Sequence, residues 1–265
     1  MRTNFHTHTC RCQHAQGKPE DYVKRAIRAD YAALGIADHC PWPYSGGYAS
    51  PIRMKMSELE PYCREVKAAA EKYSGRIEVY TGLECEFFKD YLSFLRELRD
   101  GSSGFQIDYL LLGHHHDRHE MSGVYFGDIT DMTLAKHYTE QAVEGLGSGL
   151  YDCFAHPDVF LSMFPTFTDE LRSMCRDLAQ AAASFGVPVE YNLMGFRKQA
   201  SRRITGGIGF PYLGFWEEAA KAKCKAIIGV DAHNPCDIDD VALYISAENT
   251  LRAVGVEQIY SIIKR

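Results

Sequence analysis

The sequence predicts an α/β fold: a single domain over residues 1–265, built as a parallel barrel of seven strand–helix units, (β/α)7. Three observations predict it. Short, mostly apolar runs alternate with amphipathic helical runs, as expected of a parallel sheet covered by helices. No internal repeat, low-complexity segment or Pro/Gly linker divides the chain. Residues able to bind metal recur at the ends of the apolar runs, where barrels of this kind build their active sites.

The elements follow in order. After a first strand containing "FHTH", the run "KPEDYVKRAIRADYAALG" reads as a helix with Pro19 in its first turn. Val23, Ala26, Ile27 and Leu34 share one face, and Gly35 ends it. "GIADHC" is a short buried strand. "SELEPYCREVKAAAEKY" opens on a capping box of Ser57 and Glu60, with Pro61 in its first turn. "RIEVYTGLECEF" is the third strand, and "DYLSFLRELRD" is a helix that stops at Gly101. "IDYLLLGHHH" is the fourth strand, followed by a helix over 131–146 and a fifth strand in "YDCFAHPD". "TDELRSMCRDLAQAAASFG" buries Leu171, Met174, Cys175, Leu178 and Ala182 on one side and stops at Gly186. "VPVEYNL" is the sixth strand, "LGFWEEAAKAKC" a helix, and "KAIIGVDAH" the seventh strand. A last helix and the tail "VEQIYSIIKR" follow, with no clear eighth unit.

Composition narrows the function. With 46% hydrophobic residues and a net charge of −6, the chain is globular and unlike a basic nucleic-acid coat protein. No apolar run approaches the roughly 18–20 residues of a membrane span, and the N-terminus lacks a signal-peptide pattern. A soluble cytoplasmic protein is expected. Nine cysteines without paired spacing then read as reduced thiols.

The histidines point to chemistry. His6 and His8, two apart on a strand, project from one face, and His14 follows closely. The second strand ends in Asp38 and His39, the third in Glu84, and the fourth in His114, His115 and His116. The fifth ends in His156 with Asp158 beyond, and the seventh in Asp231 and His233. One histidine at a strand end is ordinarily a hydrogen-bonded structural residue. Six of seven strands supplying a histidine or carboxylate at the same rim indicate a polynuclear metal site. His6, His8, His14, His39, Glu84, His115, His156, Asp231 and His233 supply nine ligands, enough for two or three ions if Glu84 bridges. A slip of one residue would substitute His114 or His116 for His115. Cys10 and Cys12 flank the cluster as soft donors, although its other members are imidazoles and carboxylates.

Taken in order, "HTHT", "ADH", "GLE", "LLGHHH", "AHPD", "EYNLMGFRK" and "GVDAH" resemble the polymerase-and-histidinol-phosphatase (PHP) family, in its histidinol-phosphatase branch, over nearly the whole chain. The resemblance implies a distorted, TIM-like PHP-type barrel and three divalent transition-metal ions, with Zn, Fe and Mn all compatible. A first ion would take His6, His8, Glu84 and Asp231. A second would share Glu84 and add His115 and His156, and a third would take His14, His39 and His233. Arg197 falls where relatives place a phosphate-facing arginine, and a guanidinium fork fits phosphate. Catalysis is thus expected to rest on Asp231, Glu84 and Arg197, with Arg197 and His115 facing the substrate. In this chain "GHHH" stands where relatives of the branch often read glycine, glutamine, histidine, aromatic. Residues 200–210, "ASRRITGGIG" and its flank, read as an irregular loop.

Three divalent ions less two carboxylates leave a cationic floor suited to a small phosphate ester. The metals would generate hydroxide from bound water, polarise the phosphoryl group and stabilise the leaving alkoxide. No G-x-S-x-G elbow or P-loop offers another route. The resemblance implies L-histidinol phosphate as substrate and a place in histidine biosynthesis. A phosphoesterase or nuclease acting on another small ester, a nucleotide or a nucleic-acid end is the competing enzyme, supported only by the basic "FRKQASRR" segment, with Lys198, Arg202 and Arg203. An amidohydrolase barrel also opens on His-x-His but does not require Asp-His on the second strand. A non-catalytic metal scaffold would lack ligands, and none is missing. Asp158 is expected to orient a ligand, Asp38 to orient His39 or lend a proton, and His119 and His137 to be bystanders.

Overall fold

Strand β1 (Arg2–Asn4) pairs with β2 (Tyr31–His39), and the series continues through β3 (Glu78–Cys85), β4 (Tyr109–Leu112), β5 (Cys153–Phe154), β6 (Val189–Asn192) and β7 (Lys225–Gly229) to β8 (Glu257–Gln258). The computed structural model describes residues 1–201 and 206–264. Every strand pair is parallel and the strands lie in sequence order. The helices described are α1 (Pro19–Arg28), α2 (Leu59–Lys72), α3 (Leu92–Asp100), α4 (Met132–Gly147), α5 (Asp169–Phe185), α6 (Leu193–Ala200), α7 (Leu213–Lys221) and α8 (Val241–Val254).

The seven expected strands are present, and an eighth of two residues lies in the tail. It pairs only with Lys225 and Ala226 at the start of β7. Beyond β7 the chain turns instead to the segment that follows β1. His8 N donates to Ala232 O at 2.9 Å, Ala232 N donates to His6 O at 3.3 Å, and Thr7 forms a parallel bridge with Ala232. The sheet is therefore drawn closed at the rim where His6 and His8 emerge, which distorts the barrel.

Several boundaries differ from the sequence reading: β1 stops at Asn4, short of His6 and His8, and β4 stops at Leu112, short of the histidine triplet. The first helix ends at Arg28, and Asp30 (φ 58°) turns the chain into β2 at Tyr31, so Ala33 to Gly35 are extended. Leu34 and Ile36 face the helices while Ala33 and Ala37 face the barrel interior, an alternation that overrides the helical propensity of alanine and leucine. Helix α2 is preceded by a 3-10 turn (Met56–Glu58), whose Glu58 carboxylate accepts from Lys55 N at 2.8 Å, in place of the Ser57–Glu60 box. After β6 comes a helix absent from the sequence reading, α6, started by Asn192, whose Oδ1 accepts from Met194 N at 2.9 Å. Of the basic residues there, Arg202 and Arg203 lie outside the described residues.

The barrel interior is filled. Phe5, Ala33, Ala37, Leu111, Cys153, Ala155 and Ile227 surround Tyr109, and Ile259, Ile262 and Ile263 of the tail pack against them. Tyr109 fits because Gly35 and Gly82 have no side chain. A Cβ on Gly82 would sit 2.2 Å from the Tyr109 ring, and the Tyr109 hydroxyl donates to Phe5 O at 2.8 Å. A larger core between sheet and helices includes Leu34, Leu83, Leu112, Phe154, Trp216 and Ile228. All nine cysteines are free thiols. Among the described residues, no helix is long and apolar enough to cross a membrane.

Gly82→Ala is expected to lower stability by about 1–3 kcal/mol through overpacking against Tyr109. Urea unfolding measures it, and an unchanged midpoint would contradict this account of the interior.

Candidate metal centre

Eight of the nine expected ligands line one cavity of about 760 Å³ at the C-terminal rim of the strands, and the ninth, His6, is buried behind them. Glu84 is the common contact. Its Oε1 lies 2.8 Å from His156 Nε2, 3.4 Å from His6 Nε2 and 3.4 Å from His115 Nε2. Its Oε2 lies 3.0 Å from His39 Nδ1 and 3.5 Å from His8 Nε2. The carboxylate can lie there because Gly113, just past β4, has no side chain: a Cβ would come within 2.3 Å of Glu84 Oε1. Asp231 Oδ1 adds contacts to His8 Nε2 (3.3 Å) and His6 Nε2 (3.7 Å). His14 and His233 turn their Nε2 atoms to each other at 3.1 Å.

These spacings fit metal coordination. Two nitrogens bound to one tetrahedral ion at about 2.0–2.1 Å would lie roughly 3.3 Å apart, within the range found. Several donors are also buried without a hydrogen-bond partner among the described residues: Glu84 Oε2, Asp231 Oδ1 and His39 Nδ1. Glu84 Oε2 and His39 Nδ1 are close but misaligned for a hydrogen bond. Native interiors rarely leave such groups unsatisfied, and a cation between them would use their lone pairs. Compact donor groups occur at His6–His8–Asp231, His6–Glu84–His156 and His8–His39–His233. The set His14, His39 and His233 is looser, with the His39 and His233 rings 6.5 Å apart.

Electrostatics divides the imidazoles. Burial would raise the Glu84 carboxyl, but His115, His6 and His39 hold it well below the usual carboxylate range. Asp231 is likewise held low, against its burial, by His6, His233 and His8. Burial lowers His6 and His8, yet Asp231 and the other carboxylates around them raise both well above the usual histidine value. Burial and His8 push His39 down, and burial and His233 bring His14 to about 4. His156 (φ 32°) and Asp231 (φ 49°) adopt positive φ at their strand ends. For residues other than glycine this costs on the order of 1–3 kcal/mol and is characteristic of functional sites.

Supports absent from the sequence reading hold the rings. Glu190 on β6 meets His6 Nδ1 at 2.8 Å and accepts from His156 N at 3.0 Å. Asn192 donates to Glu190 and to Asp231 Oδ2. Glu86 lies 3.2 Å from His115 Nδ1. With these partners behind them, His6 Nε2 and His115 Nε2 face Glu84, and Asp231 Oδ1 faces His8. The one available signal was the alternation Glu190-x-Asn192 inside a buried strand, which points both side chains inward.

The remaining candidates sort clearly. Arg197, on α6, lines the cavity. Its Nη2 donates to Val230 O and Asp231 O, its Nε lies 3.6 Å from Asp237, and its Nη1 has no partner among the described residues. Lys198 also lines the cavity, with Nζ over the Phe210 ring. His114 does not: it is buried between Phe126 and Tyr138, with neither ring nitrogen partnered among the described residues. His116 lines the cavity wall but joins none of the donor contacts described above. Asp38 sits behind His8 and His39, accepting from Thr9 N and His39 N, and is not among the cavity-lining residues. Asp158, expected to orient a ligand, instead accepts from Tyr212 N at 2.7 Å, and burial pushes its carboxyl up to about 7. Cys12 is buried near His14 and His233 with its thiol donating to Thr9 O, whereas Cys10 is exposed. His119 and His137 lie outside the cavity lining.

The family model of the PHP domain matches residues 4–194. A Deinococcus radiodurans protein named "Probable histidinol-phosphatase" is 28% identical, covering 94% of this chain and 92% of its own. The histidinol-phosphatase of Bacillus subtilis is 22% identical over 90% of this chain and 96% of its own. The crystal structure of histidinol phosphate phosphatase from Lactococcus lactis, complexed with zinc, L-histidinol and phosphate, superposes with a TM-score of 0.73 at 16% identity, covering 100% of this chain and 99% of that one.

His114→Leu tests the assignment within the histidine triplet. Burial holds His114 neutral down to about 3, whereas in the unfolded chain it takes a proton near pH 6.5, so wild-type stability falls as pH drops through that window. The variant is expected to retain bound metal and to gain roughly 1–2 kcal/mol from losing two unpaired polar atoms. The gain should be larger at about pH 5 than at about pH 7.5. Thermal unfolding and elemental analysis measure both, and loss of metal would return the ligand role to His114.

Proposed function

The chain belongs to the PHP domain family, and on that premise we propose that it is a metal-dependent phosphomonoesterase hydrolysing L-histidinol phosphate to L-histidinol and phosphate. The observation that carries the proposal is the convergence on Glu84 of five imidazoles, beside an arginine with an unpartnered guanidinium nitrogen. The shared name of the relatives supports the substrate, and the zinc, histidinol and phosphate of the Lactococcus lactis structure are compatible with it.

Three divalent ions are assigned to the nine residues. His6, His8, Glu84 and Asp231 would hold one, Glu84, His115 and His156 a second, and His14, His39 and His233 a third. Their nitrogen and oxygen donors accept Zn, Fe or Mn. Bound there, the ions would supply Lewis-acid polarisation of the phosphoryl group, a lowered pKa of water and neutralisation of the leaving oxygen. The chain's own contribution is orientation. Arg197, anchored on Val230 O and Asp231 O, presents Nη1 to a phosphate oxygen, and a fork so fixed loses little freedom on binding. Ile52, Tyr125, Val159, Met194 and Phe210 supply apolar surface for the organic part. Asp231 and His233 lie beyond the matched segment yet complete the site, which supports reading residues 1–265 as one PHP-type domain. The free thiols are consistent with a cytoplasmic setting.

Phosphate release from L-histidinol phosphate is expected to exceed that from p-nitrophenyl phosphate by at least about 10²-fold in kcat/KM, on the scale a few well-placed hydrogen bonds supply. A flat profile would remove the substrate and keep the reaction class. Glu84→Gln should lower kcat by about 10³-fold or more, since it removes the bridging charge, and Arg197→Ala by about 10²-fold. Chelation should abolish turnover and added divalent metal restore it, and activity that survives exhaustive chelation would refute the metal-dependent mechanism.

A further inference from the structure

Arg53 lies in the connection between β2 and α2, and only 1% of it is exposed. A guanidinium withdrawn from water is costly unless anions surround it. Two do. Glu86 accepts from Arg53 Nη2, and Glu120 accepts from Arg53 Nε at 2.6 Å. Glu86 is itself fully buried and also accepts from Trp42 Nε1 at 3.2 Å. The oxygen that meets Arg53, Oε1, is the one that lies 3.2 Å from His115 Nδ1. With Nδ1 engaged there, His115 turns Nε2 toward Glu84. The same connection is fastened beside a second candidate ligand: Gln13 Nε2 donates to Ser50 O at 2.7 Å and Arg53 O at 2.8 Å, and Gln13 precedes His14. Ile52, next to Arg53, faces the cavity.

We infer that Arg53 is a positioning residue: acting through Glu86, it fixes the ring of His115 and ties the segment 41–56 to the ion that His115 and His156 would hold. The inference rests on the metal reading above. It differs from a purely structural ion triad in one respect. A structural triad treats Glu86 and Glu120 alike, whereas of the two only Glu86 reaches His115.

The experiment compares the wild-type chain with Glu86→Gln and Glu120→Gln, each stripped of metal and titrated with zinc. Bound zinc is counted by elemental analysis, and amide hydrogen exchange is followed over 41–56. Glu86→Gln is expected to bind one equivalent about 10–100-fold more weakly, the usual cost of losing a ligand's outer partner, while Glu120→Gln keeps the wild-type count and affinity. Zinc should slow exchange over 41–56 in the wild type and in Glu120→Gln but not in Glu86→Gln. Wild-type zinc binding by Glu86→Gln overturns the inference, and so does an equal loss in both variants. A wild type that binds no zinc overturns the metal reading itself, a distinct result. If Glu86→Gln does not fold, Arg53→Lys takes its place, since lysine keeps a cation near Glu86 but does not span both carboxylates. Loss of the same equivalent supports the inference, and unchanged binding overturns it.

Discussion

A single buried carboxylate, Glu84, organises the rim. It is 1% exposed, and a lone anion so placed would cost several kcal/mol. Its surroundings answer that cost with three imidazoles on one oxygen and two on the other. Strand register places His39 directly beside it on β2 and Leu111 beside it on β4. The candidate ligands must be deprotonated to bind metal, yet against their burial the very carboxylates that would bind the ion raise His6 and His8 well above the usual histidine value. Protons and metal ions therefore compete for one charge-compensating role.

A tier of partners behind the ligands decides which nitrogen each ring presents. Glu190 takes the far side of His6, Glu86 that of His115, and the backbone carbonyl of Cys12 that of His14. Asn192 serves two elements at once, since its amide nitrogen reaches Asp231 while its carbonyl oxygen caps α6. The helix that carries Arg197 is thus started by the residue that steadies a candidate ligand, so the cavity-lining guanidinium and the candidate metal centre share one support.

Much of this was legible in the sequence because metal ligands come from few residue types and barrel sites sit at strand ends. All nine expected residues meet at one rim for that reason. The histidine triplet was not resolvable from alternation, because the extended pattern stops at Leu112 and His115 N bonds back to Gly113 O in a tight turn. The end of α1 was hidden because Ala33 and Leu34 suit either state, and only the contacts of β2 decide. Helix α6 was hidden because its cap, Asn192, is also the last residue of a strand. Glu86 was missed because an outer partner obeys no spacing rule, and for Glu190 strand alternation gives only the inward direction and not the imidazole it meets.

The seam between the two ends of the chain, made by His8 N and Ala232 O, also sets a schedule. During synthesis His6 and His8 emerge well before Asp231 and His233, which follow only after six further strands. An unfinished polypeptide can present some imidazoles but cannot close the seam that aligns them. The donor set His6, His8, Glu84 and Asp231 is therefore complete only once the seventh strand has been made, whereas Glu84, His115 and His156 are all released before it.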